Sequence, residues 1–190
     1  PGSSLAVRSS SLIEDGEKQS YAGKYKTFLD VKTHKVEKCI NAVIRDYDKN
    51  LGNQIIIQKM AKNVSMSGVC MSRNIEDGAP YYVLNYDDTS GRTDTVTGGK
   101  GQSKLVYIFR DYHNDFFDSN RIRALMSKIK EIEKKLKNTN IDIEFAVTEK
   151  NTPVFFQVRN ISLKRKWINS DSQIKNKFFS LSSKIIKKII

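Results

Sequence analysis

Two short runs near the C-terminal end of the chain carry the residue types that metal and phosphate chemistry needs. Ile141-Asp142-Ile143-Glu144-Phe145 supplies two carboxylates, and Gln157-Val158-Arg159-Asn160 supplies an amide and a guanidinium. Between them lies the turn-like Glu149-Lys150-Asn151-Thr152. Residues 141–147 alternate strictly, with Ile141, Ile143, Phe145 and Val147 on one face and Asp142, Glu144 and Ala146 on the other, which is the period of a half-buried strand. Residues 153–159 alternate too, although Phe155 interrupts their polar face. A hairpin closed by a two-residue Lys150-Asn151 turn, or by a four-residue 149–152 loop, would set Glu144 opposite Gln157 and Asp142 opposite Arg159. Opposed side chains have Cβ atoms about 4.5–5.5 Å apart, so one hard cation could bridge Glu144 and Gln157 beside the fork-shaped donor Arg159. The competing reading is an ordinary hairpin with its charged face in water, in which Asp142–Arg159 is a surface pair worth about 0–1 kcal/mol.

The elements that must position these residues can be read from periodicity. Apolar residues at 36, 40, 43, 44 and 47 predict a helix over 36–47, and Ile122, Leu125, Met126, Ile129, Ile132 and Leu136 predict another over 121–137, its lysines and glutamates turned to solvent. Strands are expected at 5–8, 25–31, 54–60, 68–72, 81–86 and 104–110, with the β-branched 54–60 run buried. Glu14-Asp15-Gly16 marks a turn and Asp94–Gly99 a loop. Many strands with two or three helices, and no regular βαβ alternation, indicate an α+β fold built on a mainly antiparallel sheet.

Composition limits the functional classes. The 38% hydrophobic content suits a chain with a real core, and no apolar run approaches the roughly 18–20 residues of a membrane span. Cys39 and Cys70 are too few for a disulfide framework and lack metal-ligand spacing, so reduced, mostly buried thiols in the cytoplasm are expected. The net charge of +12 is concentrated in the 121–137 helix and in residues 164–188, with no helix-turn-helix, zinc finger or paired-aromatic strand beside it. Nucleic acid and membrane are therefore not expected partners. A basic module binding nucleic acid or an acidic membrane surface is the alternative function. Neither a Gly-x4-Gly-Lys-Ser/Thr loop nor a Gly-x-Gly-x-x-Gly is present, and His34 and His113 lie in no motif.

Taken in order, Ala6-Val7-Arg8-Ser9-Ser10-Ser11, Glu14-Asp15-Gly16, Ser20-Tyr21-Ala22-Gly23-Lys24-Tyr25-Lys26-Thr27, Ile57-Gln58-Lys59-Met60, Ser67-Gly68-Val69 and the two hairpin runs resemble one family. It is the nucleotide-binding domain of phosphoenolpyruvate synthase and pyruvate phosphate dikinase, shared with rifampin phosphotransferases. The resemblance spans residues 6–160 and implies an ATP-grasp fold that binds ATP and Mg²⁺. Arg8 would contact phosphates, Gly23 and Thr27 would belong to the covering loop, and Gln58 and Met60 would lie beside adenine. Glu144 and Gln157 would bind Mg²⁺, Asp142 would stand behind them or hold another metal, and Arg159 would stabilise the transferring phosphoryl group. In the family that group passes to a histidine on a swivelling domain and then to an acceptor domain, which would be this chain's partners. Pyruvate, an antibiotic hydroxyl and the glutamine amide are among the family's acceptors. Residues 1–163 would form the ATP-grasp domain and 164–190 a basic linker helix. Without an initiator Met, and without the lysine-bearing N-terminal subdomain, the chain reads as a fragment with weak nucleotide binding and no turnover.

Overall fold

A computed structural model describes residues 4–10, 27–47, 52–94, 96, 102–111 and 117–161, together with helical residues at 172–174, 176, 177 and 180. The chain divides into two compact units, Pro1–Lys62 and Asn63–Ile190.

In the first unit, β1 (Leu5–Ser10) lies between β2 (Thr27–Val31) and β3 (Gln54–Lys59) in an antiparallel sheet of order β2-β1-β3. A 3-10 turn at Thr33–Lys35 leads into α1 (Val36–Asp46). Of the α1 stripe predicted from periodicity, Val36, Ile40, Val43 and Tyr47 pack on the sheet around buried Val7 and Val31, whereas Ile44 is 52% exposed. Leu5 pairs with Val31, yet Val7 pairs with Phe28, so β2 carries an extra residue. Asp30 absorbs it by entering the left-handed region (φ 54°), which lets both Phe28 and Val31 reach the α1 side. The Tyr47 hydroxyl accepts the Ser10 amide N–H at 2.9 Å and donates to the Gln54 carbonyl, tying the ends of β1 and β3 to the end of α1. The expectation that 54–60 is buried needs correction. β3 is an edge strand, and Ile56 and Ile57 are 41% and 46% exposed.

The second unit is a five-stranded antiparallel sheet of order β6-β5-β4-β7-β8. Its strands are β4 (Val64–Met71), β5 (Tyr81–Asp87), β6 (Lys104–Phe109), β7 (Ile141–Thr148) and β8 (Pro153–Asn160), with α2 (Asn120–Leu136) between β6 and β7 in sequence. Ser119 caps α2 by accepting from the Ile122 amide, and Lys137 ends it in the left-handed region (φ 51°). The predicted stripe is buried as Leu125, Met126 and Ile129, against Met66, Cys70, Tyr82, Leu84, Ile143 and Phe145 from one face of the sheet. Both cysteines are free, Cys70 buried and Cys39 half-buried, and burial pushes the Cys70 thiol up.

One helical glutamate does not face solvent as expected. Glu133 is 6% exposed, and its carboxylate accepts the Tyr82 hydroxyl at 2.7 Å and both terminal nitrogens of Arg110 at 2.8 and 3.1 Å. The guanidinium stacks 4.6 Å from the Tyr82 ring centroid and also donates to the Ser72 carbonyl at 2.7 Å. A carboxylate buried on a helix face needs this full set of donors, because an unpaired charge there would cost several kcal/mol.

Gly68 has a steric reason to be glycine. A Cβ at that position would sit 2.1 Å from the Asn85 carbonyl oxygen and 2.7 Å from the Tyr86 Cα, both backbone atoms of the paired strand β5. We expect Gly68→Ala to destabilise the second unit by about 1–3 kcal/mol, the range for overpacking, as measured by urea unfolding. An unchanged midpoint would show that β4 and β5 do not approach this closely.

Candidate nucleotide and metal site

The β7–β8 hairpin sets the geometry. Glu144 pairs with Gln157 and Asp142 with Arg159, as the alternation predicted. The turn is neither of the two expected forms. Three residues, Glu149, Lys150 and Asn151, close it, with Thr148 N–H donating to Thr152 O at 3.0 Å and Asn151 in the left-handed region (φ 57°). That loop shifts the pairing by one, so Phe145 faces Phe155 and Ala146 faces Val154. A bulge at Phe156 then restores the register at Glu144. The bulge also resolves the Phe155 anomaly, since Phe155 turns onto the α2 side and joins the core.

Residues paired across a ladder share a face, so the four polar side chains can be placed within the whole sheet. One cross-strand row runs Leu105, Asn85, Val69, Glu144, Gln157, and the next runs Tyr107, Val83, Met71, Asp142, Arg159. This is the face opposite α2. Apolar side chains floor its β6–β5–β4 part and the charged cluster occupies its β7–β8 part. A planar apolar group and an anionic group of one ligand could lie side by side here. Asn85 is a member of the row that sequence reasoning missed. Its Oδ1 is buried without a hydrogen-bond partner, and the only signal was an amide inside an otherwise apolar and aromatic strand.

The cluster is not a solvated ladder. Side-chain exposures are 18% for Asp142, 16% for Glu144 and 17% for Arg159. Arg159 Nη2 donates to Asp142 Oδ2 at 3.0 Å and lies 4.0 Å from Glu144 Oε1. Burial pushes the Asp142 carboxyl up, the charge and hydrogen bond of Arg159 hold it down in part, and Glu144 raises it further. A carboxyl whose folded-state pKa is raised contributes stability that is fully present below the unfolded value. Its contribution is lost as pH rises through the folded one. The other oxygen, Asp142 Oδ1, is buried with no hydrogen-bond partner. An orphaned carboxylate oxygen beside a second carboxylate and an amide is an all-oxygen donor set suited to a hard cation. Among the described residues no three His, Cys, Asp or Glu side chains converge. A cation here would therefore take its remaining ligands from water or from a bound phosphate, as Mg²⁺ commonly does.

In the first unit, Arg8 on β1 pairs with Thr27 on β2 and Ile56 on β3, and Gln58 pairs with Ala6. Arg8, Thr27 and Gln58 thus share the sheet face away from α1. Met60 follows β3, its N–H donating to Ser4 O at 3.0 Å. Gly23 lies outside the described residues, as do the Glu14–Gly16 turn and most of the 164–190 tail. No helix among the described residues is long and apolar enough to cross a membrane.

Residues 2–89 match the family model for the pyruvate phosphate dikinase AMP/ATP-binding domain. The match takes in the first unit with β4 and β5, and it ends before α2 and the β7–β8 hairpin. The chain is also 40% identical over 86 residues to the uncharacterized phosphotransferase YvkC of Bacillus subtilis (strain 168), an alignment covering 37% of this chain and 10% of that protein. The chain thus spans about a tenth of the length of the curated relative it matches.

If Arg159 holds the Asp142 charge, Arg159→Ala will move the Asp142 carboxyl titration to higher pH than in the unaltered protein, read by carbon-13 NMR of the carboxyl. An unmoved or lowered titration would refute the pairing.

Proposed function

We propose that this chain, whose residues 2–89 match the AMP/ATP-binding domain of the pyruvate phosphate dikinase family, is the ATP-binding part of a dikinase-type phosphotransferase with an ATP-grasp fold. The observation that carries the hairpin's share of this reading is the mostly covered Glu144–Gln157 and Asp142–Arg159 pairing beside an apolar floor on the face opposite α2. In this reading Arg8 and Arg159 bind phosphate oxygens as forked donors. Gly23 and Thr27 cover the phosphates, and Gln58 and Met60 lie against the adenine.

Glu144 and Gln157, with Asp142 behind them, would hold Mg²⁺, which would neutralise charge on the phosphates. Phosphoryl transfer needs little covalent help from the protein, so the work of these side chains is positioning and charge stabilisation. Asp142 restrains the Arg159 guanidinium through one hydrogen bond to Nη2, and the low exposure of the cluster strengthens its field by excluding water. The phosphoryl group would pass to a histidine on a separate swivelling domain and from there to a small acceptor, pyruvate or another molecule such as glutamine, leaving AMP and phosphate. Those domains would belong to the same full-length, cytoplasmic protein.

Isothermal titration of this chain with ATP and Mg²⁺ tests the reading. Glu144→Ala and Arg159→Ala should each weaken binding at least tenfold, about 1.4 kcal/mol or more. ATP affinity that neither substitution changes would remove the hairpin from the nucleotide site.

A further inference from the structure

The α2 side of the second unit carries a cavity that the proposed nucleotide site does not use. Its volume is ≈ 510 Å³, within the roughly 300–1,000 Å³ range of small-molecule sites. Tyr82 and Thr139 form part of its wall, and its charged lining comes from the C-terminal half of α2 and the end of β6. Asp142, Glu144, Gln157 and Arg159 project from the opposite face of the sheet, so this is a different place on the molecule.

The charge of the lining is unbalanced. Arg110, Lys130, Lys134 and Lys137 bring four cations, against the carboxylates of Asp111 and Glu133. Arg110 and Glu133 neutralise each other through two hydrogen bonds, and the Tyr82 hydroxyl is also committed to Glu133. Among the described lining residues, three lysines and one aspartate then remain, an excess of positive charge. Lys130 and Lys134 lie four residues apart on one face of α2, and Lys137, at the left-handed cap that ends the helix, completes the basic side of the lining. Burial, and then the neighbouring Arg110, disfavour the charged form of Lys130, while Glu133 and Asp111 oppose them in part.

We propose that this cavity is a second binding site, taking a small phosphorylated molecule with two or more negative charges. Lysine ammonium groups serve as point-charge ligands for phosphate, and a concave wall of this size admits a compact ligand up to about a nucleotide. The C-terminal end of a helix carries partial negative charge and opposes an anion, so the attraction must come from the lysine side chains themselves. Removing them should therefore abolish binding, and salt should weaken it.

Magnesium-free pyrophosphate is the probe, titrated against the whole chain and followed by the amide resonances of Lys134, Lys137 and Thr139. Saturable shifts at those amides are expected, with affinity falling at least tenfold in the Lys130→Gln/Lys134→Gln double variant and unchanged in Arg159→Ala. Absence of saturable shifts would overturn the proposal. So would shifts confined to the β7–β8 hairpin that disappear in Arg159→Ala, since pyrophosphate would then be reading the nucleotide site. Tighter binding of an oligoglutamate peptide than of pyrophosphate at equal ionic strength would also overturn it, in favour of a protein partner.

Discussion

The arrangement of the charged cluster depends on one residue of excess in β8. The three-residue turn at Glu149–Asn151 alone would leave Glu144 without Gln157 opposite it, because side-chain direction in a strand has a period of two and a shift of one reverses every face. The bulge at Phe156 adds one more unpaired residue and returns the ladder to Glu144–Gln157 and Asp142–Arg159. With the same displacement it sends Phe155 into the core beside Phe145. A hydrophobic requirement and a functional one are met together. The half-buried Phe155 ring packs against the core, and that contact favours the bulged register on which the site depends.

That core is pinned at its α2 end by a polar group. Glu133, Arg110 and Tyr82 satisfy one another across the helix and the sheet edge, with the Ser72 carbonyl as a further acceptor. A network of this kind adds directional restraint to hydrophobic packing that by itself would tolerate sliding. Cys70 lies in the sheet between two charge systems; burial chiefly, and then the negative charges of Glu133 and Asp142, push its thiol up, with Arg110 opposing them.

The first unit repeats the same logic on a smaller scale. An extra residue in β2, absorbed by Asp30, keeps Phe28 and Val31 on the α1 side while Thr27 comes opposite Arg8. In both units an irregular strand reconciles the packing face with the polar face.

The sequence by itself determined the elements and much of the pairing. Alternation in 141–147 and helical spacing in α1 and α2 are local periodicities, and each follows from the few residues that show it. The order of motifs also carried the family resemblance, which the match over residues 2–89 bears out. Tertiary structure alone decided what is buried from both sides. The run Ile55-Ile56-Ile57 looks like a core strand, yet it lies at a sheet edge. Glu133 reads as a solvated charge on a helix, yet Arg110 and Tyr82, distant in sequence, cover it. The Phe156 bulge and the row that joins Asn85 to Glu144 arise from pairings among four strands, β5, β4, β7 and β8. A side chain's own sequence fixes which way it points along its element. Only the neighbours that the fold brings to it fix whether it meets water, a partner charge or the core.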